Sequence, residues 1–70
     1  MNMGDEIDLL LSLRRIIESY VAEPGKKEEL LNEVGRTKVK YVLGELEKYR
    51  SREITEADGE ILKDLFFHFC

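Results

Sequence analysis

The strongest constraint on this chain is one pair of helix-breaking residues, Pro24 and Gly25, in a sequence of 70 residues. Proline cannot continue a preceding helix, and it disfavours helical backbone at Glu23 before it. The other glycines stand singly within segments whose apolar residues recur every three or four positions, which is helical spacing. No segment shows the sustained alternation of apolar and polar residues that is typical of a strand. The sequence therefore predicts an all-α fold.

Apolar periodicity divides the chain into three predicted helices, at about 5–22, 27–50 and 55–69. The middle segment is ambiguous, because its spacing wavers between Val34 and Val39. Either one long helix passes through Gly35, or a short helix ends there and a second begins near Thr37. We favour one long helix that is bent at Gly35.

The small size of the chain limits how it can be stabilised. A domain of this length buries only about 60% of the surface of its unfolded chain. The single cysteine, Cys70, cannot form an internal disulfide, and with the single histidine, His68, it cannot supply a four-ligand zinc site. Small chains without these aids depend on tight packing or on a partner subunit. We expect one domain over 1–70, a small three-helix bundle completed by homodimerisation.

Groups that could carry catalysis are few. His68 and Cys70 are two residues apart and do not share a helix face. Glu29 and Glu33 share a face, but carboxylates with no histidine beside them make only a weak metal site. Glycine-rich phosphate loops and calcium loops are absent from the sequence. We expect a protein that is not an enzyme, with no cofactor, no metal and no small-molecule substrate.

Charge and hydropathy suggest a location. The net charge is −4, and acidic residues rather than a basic segment follow Met1, so no secretory leader is indicated. Uninterrupted apolar runs are no longer than three residues, as at 9–11, so we expect no membrane-spanning segment. A single cysteine is compatible with a reducing compartment. We expect a cytoplasmic protein.

Surplus apolar residues predict a docking surface. In the first helix, two apolar residues fall to one side of the main stripe, and three phenylalanines within four positions cannot all face one side of the last helix. Excess apolar surface on a small protein usually marks an interface. The predicted interface consists of Leu9, Ile16, Phe66, Phe67 and Phe69. The function that this predicts is a non-enzymatic helical interaction module, an adaptor or a regulatory subunit, that binds a second copy or another protein.

A basic segment supplies the alternative function. Residues 36–52 have a net charge of +4 and lie between two acidic segments. Charge complementarity between neighbouring helices explains this layout, and we favour that interpretation. The alternative is that the cations, which pair at helical i, i+4 spacing, form a binding surface. The chain would then be a nucleic-acid-associated accessory protein or would contact an acidic partner. The residues concerned are Arg36, Lys38, Lys40, Lys48, Arg50 and Arg52.

Two short resemblances to known families concern the second half of the chain. Residues 52–58, with the sequence Arg-Glu-Ile-Thr-Glu-Ala-Asp, resemble the loop that enters the last helix of histone-fold proteins, which would imply a handshake dimer. The second and third segments are similar to the helix pair of GINS-type replication subunits, in which a basic helix meets a Thr-capped helix. The first predicted helix is too long for a first histone helix, and GINS subunits are much longer chains. We assign the sequence to neither family.

Overall fold

A computed structural model describes the backbone of residues 3–69 and the side chains of residues 6–69. The described residues form helices joined by short connections, and none of them belongs to a strand. The predicted all-α class is confirmed, but the helices number four rather than three. They are α1 (Met3–Tyr20), α2 (Pro24–Gly35), α3 (Val39–Tyr49) and α4 (Glu56–Phe69).

The chain breaks before Pro24, as the sequence predicts, but the helix that follows begins earlier than expected. Glu23 is extended, with φ −73° and ψ 119°, as the residue before a proline should be. Pro24 then occupies the first turn of α2, where its missing N–H has no intrahelical partner to lose. Helix α2 therefore begins at Pro24, three residues before the predicted start.

The prediction of one long middle helix is wrong. Helix α2 ends in a Schellman turn, in which the amide of Lys38 donates to the carbonyl of Glu33 and the amide of Thr37 to that of Val34, both at 3.0 Å. Thr37 has a φ of 61°, in the left-handed region that glycine usually occupies at this position. Helix α3 then begins at Val39. Gly35 does not bend a continuous helix; it is the last residue of α2.

The start of α4 is fixed partly by its own sequence and partly by α1. The amide of Asp58 donates to Oγ1 of Thr55 at 3.2 Å, which confirms Thr55 as the N-cap. In a full capping box, a side chain at the position of Asp58 would accept from the Thr55 amide. Here the hydroxyl of Tyr20 accepts that hydrogen bond instead, at 3.1 Å.

The four helices close into a ring around one core. Helix α1 contacts α2 and α4, α3 contacts the same two, and α1 also reaches α3 across the middle. Helices α1 and α4 are antiparallel, because Arg15 and Tyr20 late in α1 meet Asp58 early in α4. The buried core consists of Leu13, Ile16, Ile17, Tyr20, Val21, Leu30, Val34, Val39, Val42, Leu46 and Leu65.

Candidate functional site

A groove between α1 and α4 is the best candidate for a binding site. It has a volume of about 620 Å³ and is open to solvent along one side. Its walls are two antiparallel helices held together at the far end by the ion pair of Arg15 with Asp58, at 2.8 Å. The lining residues are Asp8, Leu9 and Ser12 of α1 and Ile61, Asp64, Phe67 and His68 of α4.

The floor of the groove continues the core. Leu9 and Ile61 are half-buried and pack against the buried cluster. On each helix the groove residues repeat every three or four positions, so they share one flank beside the core stripe. Ser12 is the small residue on the α1 wall. Because its side chain is short, it leaves space that a larger residue would fill.

Phe67 lies at the edge of the groove and is 93% exposed, more than any other large apolar residue described. Successive helical residues are about 100° apart, so Phe67 is about 200° from the buried Leu65 and points away from the core. Burial of a phenylalanine side chain stabilises by about 1.5–3 kcal/mol relative to exposure. This chain does not gain that contribution by itself, which makes Phe67 the natural anchor for a partner.

The predicted interface residues are only partly brought together. Leu9 and Phe67 both line the groove. Phe69 is half-buried and packs against the core. Phe66 is 54% exposed but lies about 100° around α4 from Phe67, on a different side.

The assignment of Ile16 to the interface is wrong. It is fully buried, at 0% exposure, and belongs to the core. The physical reason is the position of α1, which packs against α2, α3 and α4 at once. A helix with three neighbours buries a wide apolar arc, and Ile16 falls within it.

Sequence reasoning missed several residues around this site. Asp8, Ser12 and Asp64 line the groove, and no motif in the sequence distinguishes them from other polar positions. His68 also lines the groove. On the outer side of α1, Ile7 and Leu11 are one helical turn apart and more than half exposed, at 52% and 57%. Cys70 lies outside the described residues.

The groove is acidic. Asp8 and Asp64 are exposed and come from opposite walls. Among residues 6–69, no Lys, Arg or His nitrogen lies within 4 Å of either carboxylate. The ring of His68, which also lines the groove, packs edge-on against Phe69, with 4.7 Å between the ring centres. The groove therefore combines an apolar floor with a negatively charged rim.

The predicted basic patches do not form as helical pairs. Arg36 caps the end of α2 and Lys40 belongs to α3, so the break between these helices removes their i, i+4 relationship. Lys48 lies in α3, but Arg52 follows the end of that helix. The guanidinium of Arg52 stacks on the ring of Tyr20 at 4.0 Å.

Acidic neighbours pair with three of the six basic residues. Arg36 lies 3.5 Å from Glu33, and Lys48 lies 3.5 Å from Glu45. Arg50 is 3.6 Å from Glu47, and it is also 3.8 Å from Glu53. Lys38 and Lys40 are exposed. Each of these pairs joins residues three positions apart in the sequence, so none of them provides the complementarity between neighbouring helices that the sequence predicts.

A separate network of charged residues links α2 to α3. The ammonium of Lys26 lies 2.7 Å from Glu45 and 3.1 Å from Glu29, and 4.6 Å from the centre of the Tyr49 ring. The hydroxyl of Tyr41 donates to Glu29 at 2.6 Å. These contacts cross-link the two helices.

The same contacts stabilise the ordinary ionisation states of the network. The hydrogen bond to Glu45, followed by that to Glu29, raises the pKa of Lys26 above its usual range. The bonds from Tyr41 and Lys26 lower the pKa of Glu29, and the bond from Lys26 lowers that of Glu45. The bond to Glu29 raises the pKa of Tyr41. General acid–base catalysis instead needs pKa values near the working pH. These shifts suit a structural role.

Comparisons with known proteins do not assign the chain to a family. No protein-family model matches the sequence, no curated protein matches it, and no solved structure matches the fold. Among the described residues, no helix is long and apolar enough to cross a membrane. No group of three or more His, Cys, Asp or Glu side chains in that part of the chain is arranged to hold a metal ion.

Proposed function

We propose that this chain is a small non-enzymatic interaction module that binds a protein in the groove between α1 and α4. The observation that carries this proposal is Phe67, a large apolar side chain that is 93% exposed at the edge of a groove with an apolar floor. Single exposed apolar residues are common on protein surfaces. An exposed aromatic residue beside a concave apolar surface is instead typical of a binding site.

The energetics suit docking by a short element. Burying Phe67 together with the exposed parts of Leu9 and Ile61 removes apolar surface from water, at about 25 cal/mol per Å². Aromatic anchors of this kind dominate many interfaces, while the surrounding contacts mainly exclude water. The occupant under this proposal is a second copy of the chain or another protein.

The experiment that tests the proposal is selection of binding peptides from a displayed random library, with the intact chain as bait. We expect the selected peptides to lose at least tenfold in affinity for Phe67→Ala. They should keep their affinity for Leu11→Ala, which truncates an exposed apolar residue of α1 that does not line the groove. Light scattering over a concentration series supplies the oligomeric state of each variant.

Two results would overturn this proposal. One is a set of selected peptides that bind wild-type protein and Phe67→Ala equally well. The other is a wild-type chain that selects no peptide and stays monomeric at every concentration, since the groove would then bind neither another protein nor a second copy.

The alternative, a nucleic-acid-associated protein that uses the basic residues of 36–52, has weaker support. Three of the six basic residues face acidic neighbours within 4 Å, and Arg52 covers Tyr20. Phosphate contacts would have to compete with these pairs. Titration of labelled DNA and RNA at low salt tests the alternative. Binding that weakens steeply with added salt would favour it over the interaction module.

A further inference from the structure

We propose that the occupant of the groove is a basic amphipathic helix of another protein, rather than a second copy of this chain. This inference rests on the proposed function and specifies the chemistry of the partner. The apolar face of the incoming helix would lie on Leu9, Ile61 and Phe67. Its Lys or Arg residues would lie beside Asp8 and Asp64, one on each wall.

The charge of the rim supports a basic partner. Asp8 and Asp64 are exposed on opposite walls, and no basic nitrogen of the described residues lies within 4 Å of them. One turn before Asp64, Glu60 behaves differently, because it already has Lys63 at 3.8 Å. The two groove carboxylates are thus available to pair with basic residues on either side of the apolar face of an incoming helix. Such complementarity steers association, fixes orientation and disfavours partners whose charge is the same as that of the groove.

The same charges disfavour a symmetric dimer through this groove. A two-fold interface places the same patch of both copies face to face. Asp8 and Asp64 would then meet the corresponding carboxylates of the second copy across an apolar contact. Like charges brought together at an interface oppose association. A head-to-tail contact would avoid this repulsion, but it would build a closed ring or an open filament rather than a dimer.

The shape of the groove favours a helical partner. On α4 the lining runs from Ile61 to His68, which spans about 10 Å at the helical rise of 1.5 Å per residue. That length holds about two turns of an incoming helix, enough for apolar anchors at i, i+3 or i+4. An extended peptide would need a free sheet edge for its backbone hydrogen bonds. The described part of this chain has no strand to offer one.

The test uses two synthetic helical peptides with identical leucine anchors, one flanked by lysines and the other by glutamates. Binding to the full chain is measured by fluorescence anisotropy at low salt. We expect the lysine peptide to bind at least tenfold more tightly than the glutamate peptide. Amide chemical shifts of isotope-labelled protein should change along 8–12 and 61–68 when the lysine peptide is added.

Isosteric variants separate charge from packing. The double variant Asp8→Asn/Asp64→Asn should weaken binding of the lysine peptide by roughly tenfold, because two exposed ion pairs with the peptide are lost. The matched control is Glu18→Gln/Glu28→Gln, which removes the same charge from exposed positions outside the groove. The control should leave the affinity within about twofold, since screening limits distant charges.

The outcomes distinguish the two proposals. If both peptides bind equally and both are weakened by Phe67→Ala, the groove is a docking site and the basic partner is wrong. A wild-type dimer that Phe67→Ala dissociates would also refute the basic partner and leave the docking function intact. If neither peptide binds and the wild-type chain selects no other peptide and stays monomeric, both proposals fail.

Discussion

Tyr20 donates its phenolic hydrogen to Oδ2 of Asp58 across 2.7 Å, and this bond joins the last turn of α1 to the first turn of α4. The same hydroxyl accepts from the amide of Thr55. Its ring is fully buried and lies beneath the guanidinium of Arg52. Tyr20 thus completes the cap of a helix to which it does not belong. It also joins α1 and α4 at one end of this helix pair, and the groove lies toward the other end.

Removal of this hydroxyl should destabilise the fold. We expect Tyr20→Phe to lower the free energy of unfolding by about 1–2 kcal/mol, because a hydrogen bond to a charged group is lost and the Thr55 amide loses its acceptor. Urea denaturation measures the change. Tyr41→Phe is the matched control, since its hydroxyl also bonds a carboxylate but at an exposed site, and its effect should be smaller. Equal losses in the two variants would contradict the structural role of Tyr20.

Acid should weaken the contact between α1 and α4. The Arg15 guanidinium, followed by the Tyr20 hydroxyl, holds the pKa of Asp58 below its usual value. A carboxyl whose folded pKa is lowered contributes stability above its unfolded pKa, and that contribution is lost as pH falls through the folded value. We expect stability to decline below about pH 5. Urea denaturation at several pH values provides the measurement.

Asp58→Asn should make this decline shallower, because the variant has no carboxyl to protonate at that position. Part of the slope should remain, since Glu29 and Glu45 also have lowered pKa values. An unchanged slope in Asp58→Asn would show that Asp58 does not contribute to the acid sensitivity.

Thr37 is a site where stability can be gained. Its φ of 61° is the conformation that a β-branched residue tolerates worst. We expect Thr37→Gly to raise the free energy of unfolding by about 0.5–1 kcal/mol, after the greater freedom of glycine in the unfolded chain is deducted. Thr37→Ala is the control and should gain less, because alanine still has a Cβ. Thermal unfolding monitored by circular dichroism compares the two. A glycine variant less stable than the alanine variant would contradict this expectation.

Gly44 should also be replaceable with benefit. It lies within α3, does not have a positive φ, and a Cβ built there would meet nothing within 4 Å. Glycine in a helix interior costs about 0.5–1 kcal/mol relative to alanine. We expect Gly44→Ala to stabilise by that amount in urea denaturation. A loss of stability would contradict this expectation.

The helical class could be predicted from periodicity, but the break between α2 and α3 could not be assigned with the same evidence. Val34 and Val39 are five residues apart, a spacing that neither three nor four satisfies. A bent helix and a broken one both accommodate it. In the structure the helix is broken, and Thr37 adopts the left-handed conformation between α2 and α3. Glycine is the usual residue in that conformation at a helix end, so a threonine there does not indicate a break in the sequence.

The candidate site was predictable only in part. Phe67 stands out in sequence because it is off the apolar stripe of its helix, and the structure leaves it exposed. Ile16 is off the main stripe in the same sense, yet it is buried, because α1 packs against three helices and its buried arc is wide. Periodicity shows which residues lie on the same flank of one helix, but it does not show which flanks of two helices face each other. The pairing of Asp8 with Asp64 across one groove therefore required the fold.

Because the four helices form a closed ring, the order in which they follow one another along the sequence can be changed without changing how they pack. Helices α1 and α4 lie side by side and antiparallel, so the first turn of α1 and the last turn of α4 are at the same end of the molecule. A flexible linker could join them, and new termini could be opened at the turn 36–38. Such a circular permutant would begin with α3 and end with α2, and would retain every helix contact of the original chain.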